Sequence, residues 1–246
     1  MEHAAEYHAI KWGHEVSVKF PDDELMRVVV KEVIDGEYPF LDGTRDLPGA
    51  VLDIGANVGA FTLLAARYFT NASVHAFEPD PRALEYLRTN VLTVDLSDKV
   101  LCYEAAVLDK RSRMPLYGSK CSVTSSLFAS TLNEPKAARL VEVFAIRDIL
   151  EKISPTVIPF LKIDCEGGEP AILQNMGPWL ELVTCAGIEY HSDRDRRYID
   201  RLMEDFVLYH SRVVTPHRGT LCYARHDFLA QRTDSDKMAI TTFQRC

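Results

Sequence analysis

The stretch VLDIGANVGAFT, residues 51–62, decides the fold. An apolar run ends at Asp53, Gly55 and Gly59 follow, and an apolar-periodic segment starts directly afterwards. A strand that turns tightly into a helix has this form, and α/β proteins bind nucleotide-like ligands at such turns. Dinucleotide sites use three glycines, so that backbone amides and a helix N-terminus face the pyrophosphate; only Gly55 and Gly59 are present here. The Gly-Lys-Ser/Thr ending of a phosphate loop is missing as well. Asp53 itself is awkward beside a pyrophosphate, because close like charges repel more strongly away from water.

A ligand that is cationic near its middle suits Asp53 better. S-adenosylmethionine carries a sulfonium, an α-ammonium group and a ribose, and no phosphate. The next apolar strand, SVHAFE, ends on Glu78, where an acidic residue accepts both ribose hydroxyls, and Pro79 turns the chain into a helix.

Strand and helix signals alternate outward from this turn. Near the N-terminus VSVKF and MRVVVKEV read as strands joined by the polar turn PDDE. Phe61, Leu64, Ala65 and Tyr68 recur at helical spacing after GAVLDI. PDPRALEYLRTNV opens a helix with Pro81 at its first position and sets Leu84, Leu87 and Val91 on one face. VLCYEAAV reads as a third strand, and the small-residue segment YGSKCSVTSSLFAST as a loop able to close over a site. FAIRDILEKI reads as a helix stopped at Ser154-Pro155, IPFLKID as a buried fourth strand, EPAILQNM as a short helix and LVTCAGIEYH as a fifth strand. Ser192 or Asp193 caps a further helix with Ile199, Leu202, Met203 and Phe206 on its face. LYHSRVVT and TLCYARH, flanking PHRG, read as a terminal antiparallel hairpin. The expectation is an α/β, mostly parallel sheet covered on both faces, with ligands at the carboxyl ends of its strands. One domain is expected, residues 46–246, preceded by residues 1–45 as an N-terminal extension or lid.

Composition narrows the function. A chain of 246 residues, 47% hydrophobic, buries a substantial core. A net charge of −8 argues against a nucleic-acid or membrane-surface binder. The opening MEHAAEYHAIKWGHE has charges where a secretory signal needs an apolar core, so a cytoplasmic, soluble protein is expected. Cys102, Cys121, Cys165, Cys185, Cys222 and Cys246 show no zinc spacing and read as free thiols. The partner expected is a small-molecule acceptor, with room for a homo-oligomer.

VLDIGANVGAFT, VHAFEPDP, the strand ending in YEAAV, and LKIDCEGGEPAIL together resemble the FkbM family of S-adenosylmethionine-dependent methyltransferases. The resemblance runs from about Val51 to His191, and the pair DIGANVG and KIDCEGGE is its most specific part. It implies a Rossmann-like class I methyltransferase fold that often acts on hydroxyls of small natural products or sugars. It also implies that Asp53, Gly55, Ala56, Asn57 and Gly59 form the first cofactor loop, that Glu78 accepts the ribose, and that Glu104 and Ala105 meet the adenine. Asp164 and Glu166 border the methyl-transfer site.

The residues themselves supply further candidates. Three carboxylates, Asp164, Glu166 and Glu169, repel one another at a buried strand end unless something offsets them. Glu169, before Pro170, complements a helix N-terminus. Asp164 and Glu166 are assigned to the cofactor's ammonium and the acceptor's proton. Mg2+ on these carboxylates is an alternative, not favoured because no histidine accompanies them locally. His191 follows the fifth strand on the same edge and is the candidate general base, with Glu189 orienting it, binding metal or touching substrate. Tyr38 is the candidate cofactor contact from the aromatic-rich extension, while Ser125 and Ser126 are candidates for touching either ligand. O-methylation of a small molecule leads, with carboxyl- or N-methylation as the alternative. A nucleotide-dependent oxidoreductase and a non-enzymatic binding module are rivals.

Overall fold

The computed structural model describes residues 4–118, 125–128 and 138–230. The chain begins with β1 (Ala4–Lys11), β2 (His14–Pro21) and α1 (Glu24–Glu32), then enters the main sheet at β3 (Gly49–Ile54). It continues through α2 (Ala60–Tyr68), β4 (Ala72–Phe77), α3 (Pro81–Thr93) and β5 (Val100–Tyr103). Four short strands, β6 (Ala106–Leu108), β7 (Ser112–Gly118), β8 (Ser125–Ser126) and β9 (Ala138–Ala145), precede α4 (Ile146–Ile153). Then come β10 (Ile158–Ile163), α5 (Glu169–Met176), β11 (Val183–Tyr190), α6 (Asp193–Leu202), β12 (Phe206–Thr215), β13 (Arg218–Arg225) and α7 (His226–Ala230).

The main sheet has the order β12-β13-β11-β10-β3-β4-β5. The five strands from β11 to β5 are parallel, and β13 and β12 close the other edge antiparallel. This is the Rossmann-like α/β fold expected, including the C-terminal hairpin. Strand order reverses between β3 and β10, so the crevice at their carboxyl ends is the ligand position the topology creates. Alternation along β10 from Phe160 onward divides the core: Phe160 packs with α1, α2 and α3 on one face, while Leu161 and Ile163 pack with α4, α5 and α6 on the other. Among the described residues no helix is long and apolar enough to cross a membrane.

Several elements differ from expectation. MRVVVKEV is not a strand but most of α1 and the turn after it. Its β-branched content favours a strand, yet Met26, Val30 and Val33 recur at helical spacing and are buried, and Asp23 caps the helix by accepting from the amides of Leu25 and Met26 at 3.0 Å. VLCYEAAV is two strands. β5 stays in the main sheet, while β6 leaves it for a second sheet of order β6-β9-β7-β8. That sheet has its own core of Ala106, Leu108, Leu116, Leu127, Val141 and Val143. β9 takes Phe144 and Ala145, so the helix expected from Phe144 starts at Ile146. The segment before VSVKF pairs with β2 as β1. Pro216 and His217 alone turn the final hairpin, and Arg218 and Gly219 belong to β13.

Cys185 and Cys222 are buried free thiols, and Cys102 and Cys165 are half-buried ones. Cys121, Cys246 and most of the small-residue loop 117–131 lie outside the described residues. Trp12 and Phe40 pack on Tyr68 of α2 at ring distances of 4.9 and 4.7 Å, and Tyr38 meets Phe61 edge-on at 5.4 Å.

Candidate active site

The loop between β3 and α2 is tied down before any ligand arrives. The amides of Gly55 and Ala56 both donate to the Phe77 carbonyl at 3.0 Å, fastening the loop to β4. Gly55 has φ +79°, and a Cβ there would lie 1.7 Å from the Asp164 carbonyl oxygen, so only glycine fits between the two strand ends. Asn57 adopts φ 51°, and its amide donates to Glu78 Oε2 at 2.7 Å. The Asp80 amide donates to Glu78 Oε1 at 2.8 Å. Glu78 is 7% exposed; burial pushes its carboxyl up to about 7, opposed by the Asp80 and Asn57 amides.

Asp53 is fully buried and does not open into the cleft. Thr62 donates its hydroxyl to Oδ2 at 2.5 Å, and the Lys162 ammonium lies 3.3 Å from Oδ1. The cation beside Asp53 is therefore the protein's own. Lys162 also donates to the Gly55 carbonyl at 2.5 Å and lies 3.6 Å from Asp164. Burial alone would lower its ammonium, but Asp53 and Asp164 outweigh that and hold it above its ordinary value. The Tyr38 ring sits 5.9 Å from this ammonium, in space that Gly187 leaves open: a Cβ there would meet the ring at 2.5 Å. Tyr38 is buried, so it shapes the floor through Lys162.

DCEGGE follows β10 as a turn held by Glu169. That carboxylate is fully buried and accepts from the amides of Cys165 at 3.0 Å and Gly167 at 3.0 and 3.1 Å. The Asp164 amide donates to the Ile54 carbonyl at 3.0 Å, joining the turn to β3. Ser126 donates to the Glu166 carbonyl at 3.1 Å, and Ser125 donates to Asp80 at 2.8 Å, so the second sheet is docked over both sides of the cleft.

At the end of β11, His191 stands among three carboxylates. Nε2 is 3.2 Å from Glu166 and 3.5 Å from Glu189, and Nδ1 is 3.3 Å from Glu169. Burial alone would lower the imidazole, but Glu169 and Glu189 outweigh it and raise it to about 11. With no other cation beside it these carboxylates favour the protonated ring, whereas a general base near neutrality needs the neutral imidazole. Arg218 of β13 donates to Glu189 at 2.7 Å and lies 3.5 Å from Glu166. Burial, then Glu189, pushes Asp164 up to about 7 against the pull of Lys162, and burial raises Glu166 against His191. Glu189 is pulled down by Asp164 and His191 in spite of its burial.

Gly55, Asn57, Glu78, Pro79, Ser125, Asp164 and Glu166 thus line one cleft, together with Asp80 and Arg218. Ala56, Gly59 and Ala105 are buried behind it, Ser126 and Glu189 act through Glu166 and Arg218, and Glu104 is exposed outside it. Lys162, Thr62 and Arg218 escaped the sequence reading. Lys162 had a signal, a lone charge inside the buried strand IPFLKI; Arg218 had none, since only the pairing of β13 with β11 brings it in.

Comparison with known proteins identifies the family. Residues 53–210 match the family described as the methyltransferase FkbM domain. Methyltransferase sdnD from Sordaria araneosa is 26% identical over 186 residues, covering 63% of this chain and 71% of that protein. Among solved structures, the methyltransferase FkbM from Methylobacillus flagellatus is 19% identical with a TM-score of 0.49; the match covers 72% of this chain and 43% of that one. TrmK from M. capricolum, solved with S-adenosyl-homocysteine, is 9% identical with a TM-score of 0.46 over 80% of this chain and 68% of that one. The chain belongs to the FkbM methyltransferase family and is a methyltransferase.

Proposed function

We propose that the enzyme transfers the methyl group of S-adenosylmethionine to a hydroxyl of a small molecule. The observation that carries this reading is the charge of the cleft. Among the described residues Glu78, Asp80, Asp164 and Glu166 line it against Arg218, which suits a sulfonium and an ammonium and repels a pyrophosphate. Gly55 lets the ends of β3 and β10 close on each other, which sets the floor of that cleft. In this reading Glu78 holds the ribose hydroxyls, the loop of residues 55–59 the cofactor's middle, and Asp164 its α-ammonium. The cofactor supplies a methyl group on a sulfonium already activated for displacement. The chain positions the acceptor and accepts its proton, and a cleft carboxylate, Asp164 or Glu166, is the acceptor in place of His191. Val29 of α1 lines the cleft, which supports residues 1–45 as a cover over the domain of residues 46–246. The net charge of −8 supports a small acceptor over nucleic acid.

The test is calorimetry with S-adenosylmethionine, followed by labelled methyl transfer to a panel of hydroxyl, carboxyl and amine metabolites. Cofactor binding with label appearing on hydroxyls is expected. Transfer confined to amines or carboxylates would overturn the acceptor, and absence of cofactor binding the whole reading.

A further inference from the structure

We propose that Asp164, Glu166 and His191 form a binding site for a first-row divalent metal ion. Each offers one donor atom, and the three atoms lie within 4.8 Å of one another. Two donors about 2.1 Å from one ion and at right angles to each other lie about 3 Å apart. Glu166 Oε2 and His191 Nε2 are 3.2 Å apart. The objection that no histidine accompanies the carboxylates applied only along the sequence. Parallel pairing of β10 with β11 brings His191 to the end of DCEGGE.

The competing reading is an imidazolium clasped by glutamates. Such a clasp should make hydrogen bonds, and here it does not. The His191 side chain is 7% exposed, yet neither ring nitrogen has a hydrogen-bond partner, although carboxylate oxygens stand 3.2–3.5 Å away. A buried polar group left so is costly unless something else engages it. Glu169 faces Nδ1 at 3.3 Å and is itself fixed by backbone amides. A carboxylate at one ring nitrogen, leaving the other for an ion, is the usual support of a metal-binding histidine. Charge points the same way: Asp53 and Asp164 flank Lys162, Glu166 and Glu189 flank Arg218, and Glu169 adds a fifth carboxylate beside His191. Two carboxylates and an imidazole suit manganese, iron or zinc better than magnesium or calcium, which favour oxygen alone. Asp164 and Glu166 line the cleft, so the ion would border it and make a coordinated hydroxyl easier to ionise. That last consequence rests on the hydroxyl-acceptor reading; binding of the ion does not.

The experiment is titration of the EDTA-treated full chain with Mn2+, read by the spin resonance of free ion and by spin-echo modulation of the bound ion. One ion per chain is expected, with modulation from an imidazole nitrogen in the wild-type protein. Glu166→Gln and His191→Ala should each weaken binding at least tenfold, while Glu151→Gln, at an exposed helix position, should not. Absence of stoichiometric binding, or a bound ion without nitrogen modulation, would overturn the proposal whether or not the variants fold. Mn2+ binding in a protein that methylates only amines would leave this site standing and remove the hydroxyl reading.

Discussion

Lys162 and Asp53 are partners in register on the parallel strands β10 and β3, and their charges meet 3.3 Å apart with side-chain exposures of 5% and 0%. The pair joins the two strands whose ends carry the glycine loop of residues 55–59 and the DCEGGE turn. Removing one partner of a buried pair leaves the other uncompensated, at a cost of about 3–5 kcal/mol. Lys162→Met should lose stability on that scale in chemical denaturation. The double change Lys162→Met with Asp53→Asn should recover much of it. A double variant no more stable than the single one would show that the ammonium acts chiefly on Gly55 and Asp164.

The Gly55 position admits a sharper test. Gly55→Ala forces a Cβ to within 1.7 Å of the Asp164 carbonyl at φ +79°, so the two strand ends must separate. A loss of at least about 2 kcal/mol is expected. Gly118→Ala, where no described residue lies within 4 Å of the new Cβ, should change stability by no more than about 0.5 kcal/mol. Thermal melts of the two variants make the comparison.

The proposed role of Glu78 makes cofactor affinity depend on pH. Burial raises its carboxyl from 4.5 to about 7, so the ionised form that this role requires is incomplete at pH 6. Affinity for S-adenosylmethionine should rise from pH 6 to pH 8. Glu78→Gln should weaken binding by about 1–3 kcal/mol and flatten that dependence. Because the folded value lies above the unfolded one, the group's contribution to stability is complete below pH 4.5 and is lost as pH rises through about 7. Calorimetry at three pH values separates the affinity effect from stability.

His75 has the opposite sign. It is 7% exposed, within hydrogen-bond distance of Ser73 at 3.1 Å and of the Tyr103 hydroxyl at 3.0 Å, and burial lowers it from 6.5 to about 4. The fold holds it neutral while the unfolded chain takes up a proton, so stability present above pH 6.5 is lost as pH falls toward 4. The wild-type protein should lose more thermal stability between pH 7 and pH 5 than His75→Phe. Equal losses would place the acid sensitivity elsewhere.

What could be read from the sequence was local. VLDIGANVGAFT announces a strand, a turn and a helix because each signal lies within a few residues of the next, and KIDCEGGE does the same. The pairs Asp53–Lys162, Glu166–His191 and Glu189–Arg218 depend on strand register, which no short window contains. Asp53 therefore seemed to await a cationic ligand when the fold supplies Lys162. His191 seemed a free base because its three glutamates come from the ends of two strands and the start of α5. Propensity misled in MRVVVKEV, where the cap at Asp23 and burial of Met26 and Val30 outweigh a β-branched run.

The small sheet β6-β9-β7-β8 packs around its own six-residue hydrophobic nucleus and is fastened to the DCEGGE turn through Ser126 and to Asp80 through Ser125. Its surface facing the cleft at Leu116 and Leu127 belongs to that nucleus, and Val107 of β6 alone joins the core of the main sheet among the buried residues of the small sheet described. Substitutions at Ser125 should therefore reshape the wall of the cleft while the Lys162–Asp53 foundation opposite keeps its geometry.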